Sequence, residues 1–279
     1  MNPAGEAVGE ESVPGPAHVA PVPVVQEELA AIAWVHEQVR ARRRLPVADV
    51  EAVAGSLFLR LREARGESLP IIVSEHENFP PVHAVNVALL SMALAQDVHF
   101  DESAVRKVGT AGLLHDVGMA RVPLHILVKP GQITAEEREA IKQHPQEGAR
   151  LILEADASFD LAAIVAYEHH MKADGSGYPP TRFPRPPHYM SRLVQVCDIY
   201  QALRSPRPFR RPWPPEIVAS FLNERAGFEF RPALAHALTL MMQRMNGAPA
   251  DAAAAQSASP TISMSRSAFV DVATPSRST

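Results

Sequence analysis

The sequence predicts an all-α fold. From Pro70 to Asn246, Ala, Leu, Val and Ile recur at steps of three and four residues, and no stretch alternates apolar with polar residues beyond the short run Leu69 to Val73. Pro-rich loops, not strands, separate the periodic segments. At 279 residues, 46% of them hydrophobic and 21% charged, the chain is long enough for one sizeable core or two small ones.

Taken in order, residues 1–23 are rich in Pro, Gly, Ala, Val and Glu without any helix or strand period, which predicts a disordered arm. The N-terminal region 24–69 predicts two helices, one carrying Leu29, Ile32, Ala33 and Val39, the next Val50, Val53, Leu57 and Leu61, with Pro46 near its start. The basic run Arg40 to Arg44 at their junction reads as a solvated helix end, its cations beside the negative end of the dipole. The main domain, 70–246, contains an apolar helix, Val105 to Leu114, which ends at His115-Asp116 ahead of Gly118, a residue suited to helix termination. Thr134 to Glu137 form a capping box, and Pro145 suits the first turn of the following helix, which places His144 at its mouth. A helix Leu161 to Tyr167 precedes His169-His170 and the turn-rich loop Asp174 to Pro179, whose two glycines permit positive φ. Pro-rich loops then bracket a helix from Tyr189 to Leu203, and 247–279 lapse into aperiodic Ala, Ser, Thr and Pro, a disordered tail.

Charge and cysteine content narrow the function. Lys plus Arg at 27 against Asp plus Glu at 31 gives a net charge of −4, so no overall basic field is present to hold DNA or RNA. The single cysteine, Cys197, cannot form an internal disulfide, and the acidic start lacks the features of a signal peptide, which predicts a reduced, cytoplasmic protein. The longest mostly apolar stretch, Val82 to Ala95, is broken by His83, Asn86 and Ser91 and is too short to span a membrane.

The twelve histidines are the informative residues. An adjacent His-Asp pair is by itself an ordinary helix terminus. Neighbours on a helix point about 100° apart, so His115 and Asp116 can serve one metal centre only where the helix is ending or where the carboxylate bridges a second ion. Paired histidines at a helix-to-loop junction, His169 and His170, suit two neighbouring metals. Asp198 lies mid-helix among apolar residues, where a carboxylate is costly unless it pairs or coordinates a metal. His83 and His144 complete a set of five histidines and two aspartates.

From His76 to Gly227 the chain resembles the HD-GYP domain, a bacterial branch of the HD metallophosphohydrolases. His83-Ala-Val-Asn-Val-Ala resembles the opening histidine helix and Leu114-His-Asp-Val-Gly-Met119 the HD motif. Val122-Pro, Ile126 to Thr134 and Lys142-Gln-His-Pro145 follow in order. His169 to Pro179 resembles the name-giving motif, and Asp198 to Arg210 the last signature. The resemblance implies an HD-domain helical bundle, preceded by the short N-terminal helical extension. It implies as metal ligands His83, His115, Asp116, His144, His169, His170 and Asp198. These would hold two divalent transition metals, iron or manganese, bridged by Asp116, which is also the catalytic carboxylate; mixed imidazole and carboxylate ligation fits that choice. Some members of the family hold a third metal with a glutamate at the position of Phe79, so a dinuclear site is expected here. The implied substrate is cyclic di-GMP, hydrolysed to linear pGpG, with Arg207 and Arg210 gripping its phosphates. The loop Gly175 to Pro179 is one credited with binding partner proteins.

The chain departs from the family pattern at a few positions. The lysine that closes the HD motif is Met119 and its acidic partner is Gln201, a paired loss that avoids one unpaired buried charge. The Gly-Leu after Tyr-Pro is Thr181-Arg182, and a following Gly is Pro184. Three functions fit the residues at this stage: an active phosphodiesterase slowed by the missing lysine, a metal-bearing but catalytically weak binder of cyclic di-GMP, and a hydrolase of another phosphate ester. Oligomeric state is not readable from the sequence.

Overall fold

A computed structural model describes residues 25–64, 79–180, 183, 185–206 and 211–245. Their helices are α1 (Gln26–Arg40), α2 (Val47–Glu63), α3 (Phe79–Asp97), α4 (Glu102–Leu114), α5 (Leu124–Leu127), α6 (Ala135–Ile141), α7 (His144–Ala155), α8 (Asp160–Glu168), α9 (Tyr189–Arg204), α10 (Pro215–Glu224) and α11 (Pro232–Met245), with 3-10 turns at Val117–Arg121 and Ala157–Phe159. Among the described residues there is no strand, only the isolated bridges Met171 to Gly177 and Ala226 to Phe230. The all-α expectation therefore holds. The run Leu69 to Val73, the arm and the tail lie outside the described residues. No described helix is long and apolar enough to cross a membrane.

The centre of the bundle is α3, which is apolar on every side, as a helix enclosed by others must be. Its Val85, Val87, Ala88, Leu89 and Leu90 have no exposed surface. Around it pack α1, α2, α4, α9 and α11, while α7 and α8 pair and α8 leans on α4 and α9. One continuous core runs from Ile32 and Leu57 through α3 to Leu234 and Leu238, so the two N-terminal helices share the core of the later ones. A separate small cluster, Val122, Ile126 and Ile141, collects the half-buried Met119.

Local chemistry sets the helix ends much as the sequence indicates. Asp101 caps α4 by accepting from the Ala104 amide at 2.8 Å. Thr134 and Glu137 close the capping box of α6 at 3.2 and 2.7 Å. At the end of α1, the amides of Arg42 and Arg43 donate back to the carbonyls of Val39 and Gln38, a Schellman closure in which Arg42 has φ 59°. That left-handed position ordinarily takes glycine.

Burial of Glu28 on α1 is offset by two donors on α2, Ser56 Oγ at 2.6 Å and Arg60 Nε at 2.7 Å, which clasp the two N-terminal helices together. Burial alone would raise the Glu28 pKa, but these donors and the Arg60 charge hold it below the ordinary 4.5. A carboxylate with a depressed folded pKa stabilises the fold fully above its unfolded value, and the contribution is lost as pH falls through the folded value. Glu28→Gln should accordingly cost about 1–2 kcal/mol at pH 7 in urea unfolding. The difference between the two proteins should shrink below about pH 4; a gap that stays constant down to pH 3 would show that the charge is not the source.

Candidate metal centre

Three helices, α4, α6 and α8, end at the same place, and a histidine donates to a carbonyl at the end of each. His115 caps α4 and its Nδ1–H donates to the carbonyl of Gly112 at 2.8 Å; His169 caps α8 and donates to Ala166 at 2.9 Å. His144, at the mouth of α7, donates to Ile141, the last residue of α6, at 2.7 Å. These carbonyls belong to the set that a helix C-terminus leaves without intrahelical donors. A carbonyl can only accept, so Nδ1 carries a proton in each ring and Nε2 is the nitrogen turned inward, those of His144 and His169 standing 3.3 Å apart. His83 on α3 reaches the same state through a side chain, its Nδ1 contacting Gln201 Oε1, while Gln201 Nε2 donates to Ser205 Oγ at 2.7 Å and so fixes the amide's orientation.

The four Nε2 atoms converge on two carboxylates. Asp116 Oδ1 lies 3.2 Å from His144 Nε2 and 3.4 Å from His169 Nε2; its Oδ2 lies 3.8 Å from His83 Nε2 and 3.6 Å from His115 Nε2. Asp198 Oδ1 stands 3.1 Å from His83 Nε2 and 3.9 Å from His115 Nε2. The donors form two groups, Asp116 with His144, His169 and His170, and His83 with His115 and Asp198, each with its ligand atoms within 4.8 Å of one another. All seven residues singled out from the sequence lie in these groups. One carboxylate, Asp116, turns an oxygen toward each group.

Burial and charge shape the protonation of the cluster. Burial acts against protonation of His83 and His169, yet hydrogen bonds and charge from Asp198 and Asp116 respectively prevail and raise both. Burial lowers His115, and lowers His170 well below the usual range with help from His169 and His144. Burial would raise Asp116 and Asp198, but the surrounding imidazoles hold both carboxylates well below their ordinary value. The site therefore keeps its aspartates ionised. His115 Nε2 is buried and makes no hydrogen bond among the described residues, which is costly for a lone pair unless a cation takes it. Imidazole nitrogens and carboxylate oxygens at these spacings suit a divalent transition ion, whose neighbouring ligands stand about 3.0–3.4 Å apart when bonds are near 2.1 Å.

Further residues were not legible from sequence. Gly118 is not used for a left-handed turn; a Cβ there would come within 2.0 Å of the His144 carbonyl oxygen, so glycine lets the turn after Asp116 lie against α7. Buried Glu168 accepts from the His188 amide at 2.6 Å and Ser191 Oγ at 2.8 Å and pairs with Arg185 at 2.5 Å, which ties α8 to α9 and its approach. Tyr178 stacks on His170 at 4.5 Å between ring centroids, and both loop glycines take the expected positive φ, 86° at Gly175 and 98° at Gly177. Loop residues Asp174 to Gly177 are exposed, anchored by Ala173 and Asp174 amides donating to the carbonyls of Glu229 and Phe228. From α1, His36 sits in the field of Asp116, His115 and His83, and burial pushes its pKa down to about 4. Arg207 and Arg210, the expected phosphate grips, lie outside the described residues, as does Arg182.

The family model for the HD domain matches residues 67–234. A cyclic di-GMP phosphodiesterase of Pseudomonas aeruginosa is 38% identical over 137 residues, 49% of this chain and 33% of that protein. A second, from Thermotoga maritima, is 31% identical over 192 residues, 67% of this chain and 52% of the relative. The chain thus spans between a third and about half the length of these curated relatives. Among solved structures, Bd1817, an HDG"Y"P protein from Bdellovibrio bacteriovorus, superposes with a TM-score of 0.60 at 17% identity, covering 78% of this chain and 69% of that one, a likeness of fold.

The Gln201 contact generates a direct test. Gln201→Leu removes the acceptor that orients His83 and should weaken metal affinity about 10- to 100-fold, measured by competition with a chromophoric chelator. Gln201→Glu keeps an acceptor and should stay near the parent. Equal loss in both variants would count against orientation of the ring as the reason.

Proposed function

The chain belongs to the HD domain family, in its HD-GYP branch, and on that basis we propose that it is a metal-dependent phosphodiesterase that opens cyclic di-GMP to linear pGpG in cytoplasmic signalling. The observation that carries this reading is the Asp116 carboxylate, whose two oxygens each face a separate group of imidazoles. That arrangement suits a bridge between two ions. His83, His115 and Asp198 would hold one, and His144, His169 and His170 the other. The mixed donor set favours iron or manganese over magnesium. When bound, the pair supplies positive charge to the phosphoryl group and a water of lowered pKa.

The chain's own residues do the rest. The backbone carbonyls and Gln201 keep four imidazoles in one tautomer, so their lone pairs need no reorganisation on binding. Asp116, held ionised, offers its charge to both ions. Tyr178 covers His170 with its ring and restricts water on that side. Arg207 and Arg210 are proposed to hold the phosphates of the dinucleotide. Where the HD-GYP pattern has a lysine, Met119 packs into the small apolar cluster of Val122, Ile126 and Ile141, and Gln201 serves His83. Both positions thus have uses that do not require the lost charge pair, so the active enzyme is the reading adopted.

Protein purified without oxygen should carry about two transition-metal ions per chain by elemental analysis. Asp116→Ala should lose metal and lower turnover of cyclic di-GMP on the order of 10²- to 10³-fold. Full metal occupancy in that variant, or metal-replete parent protein that leaves the nucleotide intact, would overturn the assignment.

The product should be mainly pGpG, with slow conversion to GMP, because Phe79 stands where a third ion's glutamate would be and less charge is then available for the extra terminal phosphate. Chromatography of a complete digest decides the point; rapid accumulation of GMP from pure enzyme contradicts it.

A further inference from the structure

We propose that the arginines at the α1–α2 connection form a binding site for a diphosphate-bearing anion, separate from the metal centre. Arg42, Arg43 and Arg44 come together with Arg121, which closes the 3-10 turn, and Arg150 on α7 around a cavity of about 280 Å³ that also meets Glu154. These residues are brought together from three distant parts of the sequence, so the group is a product of folding and not only a basic run.

Among the described residues the charge around this cavity is not balanced, while Arg43 and Arg44 also donate to Gln38 Oε1 and the Ala155 carbonyl. Arg150 pairs with Glu147 at 2.6 Å and Glu154 at 2.5 Å, Arg121 stands 3.9 Å from Glu147, and Asp156 lies in the field of Arg44. Five guanidiniums thus meet three carboxylates, leaving two positive charges over. Two nitrogens of Arg121, Nε and Nη1, are buried and make no hydrogen bond among the described residues. The backbone points the same way. Arg42 occupies a left-handed helix-end position at φ 59°, where glycine is ordinary, and strain of that kind is commonly kept where the side chain is used.

Guanidiniums prefer anions that accept two parallel hydrogen bonds, as phosphate does. The cavity sits near the lower limit of small-ligand sites, about 300 Å³, which accommodates a diphosphate and not a whole cyclic dinucleotide. The site also shares its supports with the metal centre. Arg121 ends the turn that begins directly after Asp116, and Arg150 rides on the helix that begins at His144. An anion held there would fasten the N-terminal extension to the two segments that carry those ligands.

The test is calorimetric titration of the full, metal-loaded chain with inorganic pyrophosphate and, separately, with a nucleoside diphosphate, at constant ionic strength. Binding of pyrophosphate alone identifies the inorganic anion as the ligand class; tighter binding of the nucleotide identifies the ester. Either should weaken at least 10-fold in R42N/R43Q, whose exposed positions leave the core untouched, and in Arg121→Gln, while saturating pGpG, the expected product at the metal centre, should leave it in place. Absence of binding, binding unchanged in both arginine variants, or binding that pGpG displaces would overturn the proposal.

Discussion

An imidazole can aim a lone pair at a metal only if its other nitrogen has somewhere to put a proton. In this bundle that requirement is met by the ends of helices. α4, α6 and α8 each stop where their final carbonyls lack intrahelical donors, and His115, His144 and His169 supply one while turning Nε2 inward. The same hydrogen bond therefore closes a helix and orients a donor. Everything else about the site is subordinate to it: the helices must end together, the turn after Asp116 must lie against α7, and the position that allows this approach must be glycine.

Burial is the opposing constraint. Five imidazoles and two carboxylates occupy the interior beside a core of Leu, Val and Ala, where unpaired charge is costly. The balance is reached by pairing: both oxygens of Asp116 and Oδ1 of Asp198 face the imidazoles of His83, His115, His144 and His169. The protonation shifts express this: His83 and His169 are raised by their aspartates, whereas burial, with His169 and His144 beside it, drives His170 down. A cation can replace the protons that this arrangement otherwise has to share.

The bundle could be read from the chain because periodicity is written locally, and the seven candidate donors because they stand at positions of a family pattern that the chain resembles. Helical periodicity is a short-range pattern, and His115-Asp116, His144-Pro145 and His169-His170 each sit beside their own helix-end signal. What could not be read depends on partners far away in sequence. From sequence alone Gln201 reads as a lost acid, whereas its amide oxygen contacts His83 Nδ1, and Gly118 reads as a helix stop, whereas its closeness to the His144 carbonyl is what requires glycine. Glu168, a buried acid on an apolar helix, carries no signal of its own, and His36 reaches the centre only because α1 packs on the turn after Asp116. The basic run at Arg40 to Arg44 is exposed at the end of α1, as a solvated helix end is, and its nearness to Arg121 and Arg150 is invisible from the sequence.

The donors lie on α3, at the ends of α4 and α8, at the start of α7 and midway along α9, from position 83 to position 198. The group of Asp116, His144, His169 and His170 lies between positions 116 and 170, whereas the group of His83, His115 and Asp198 spans 83 to 198, so no contiguous piece shorter than that holds both. Local helices form early and closing long loops comes late, so the pocket exists only after the remote parts have met. An ion that needs the completed set of donors discriminates between folded and unfolded chain and joins segments more than a hundred residues apart. In that respect a bound ion would act as a reversible cross-link, and the concentration of free metal around the protein would become one of the variables that set how long its tertiary structure lasts.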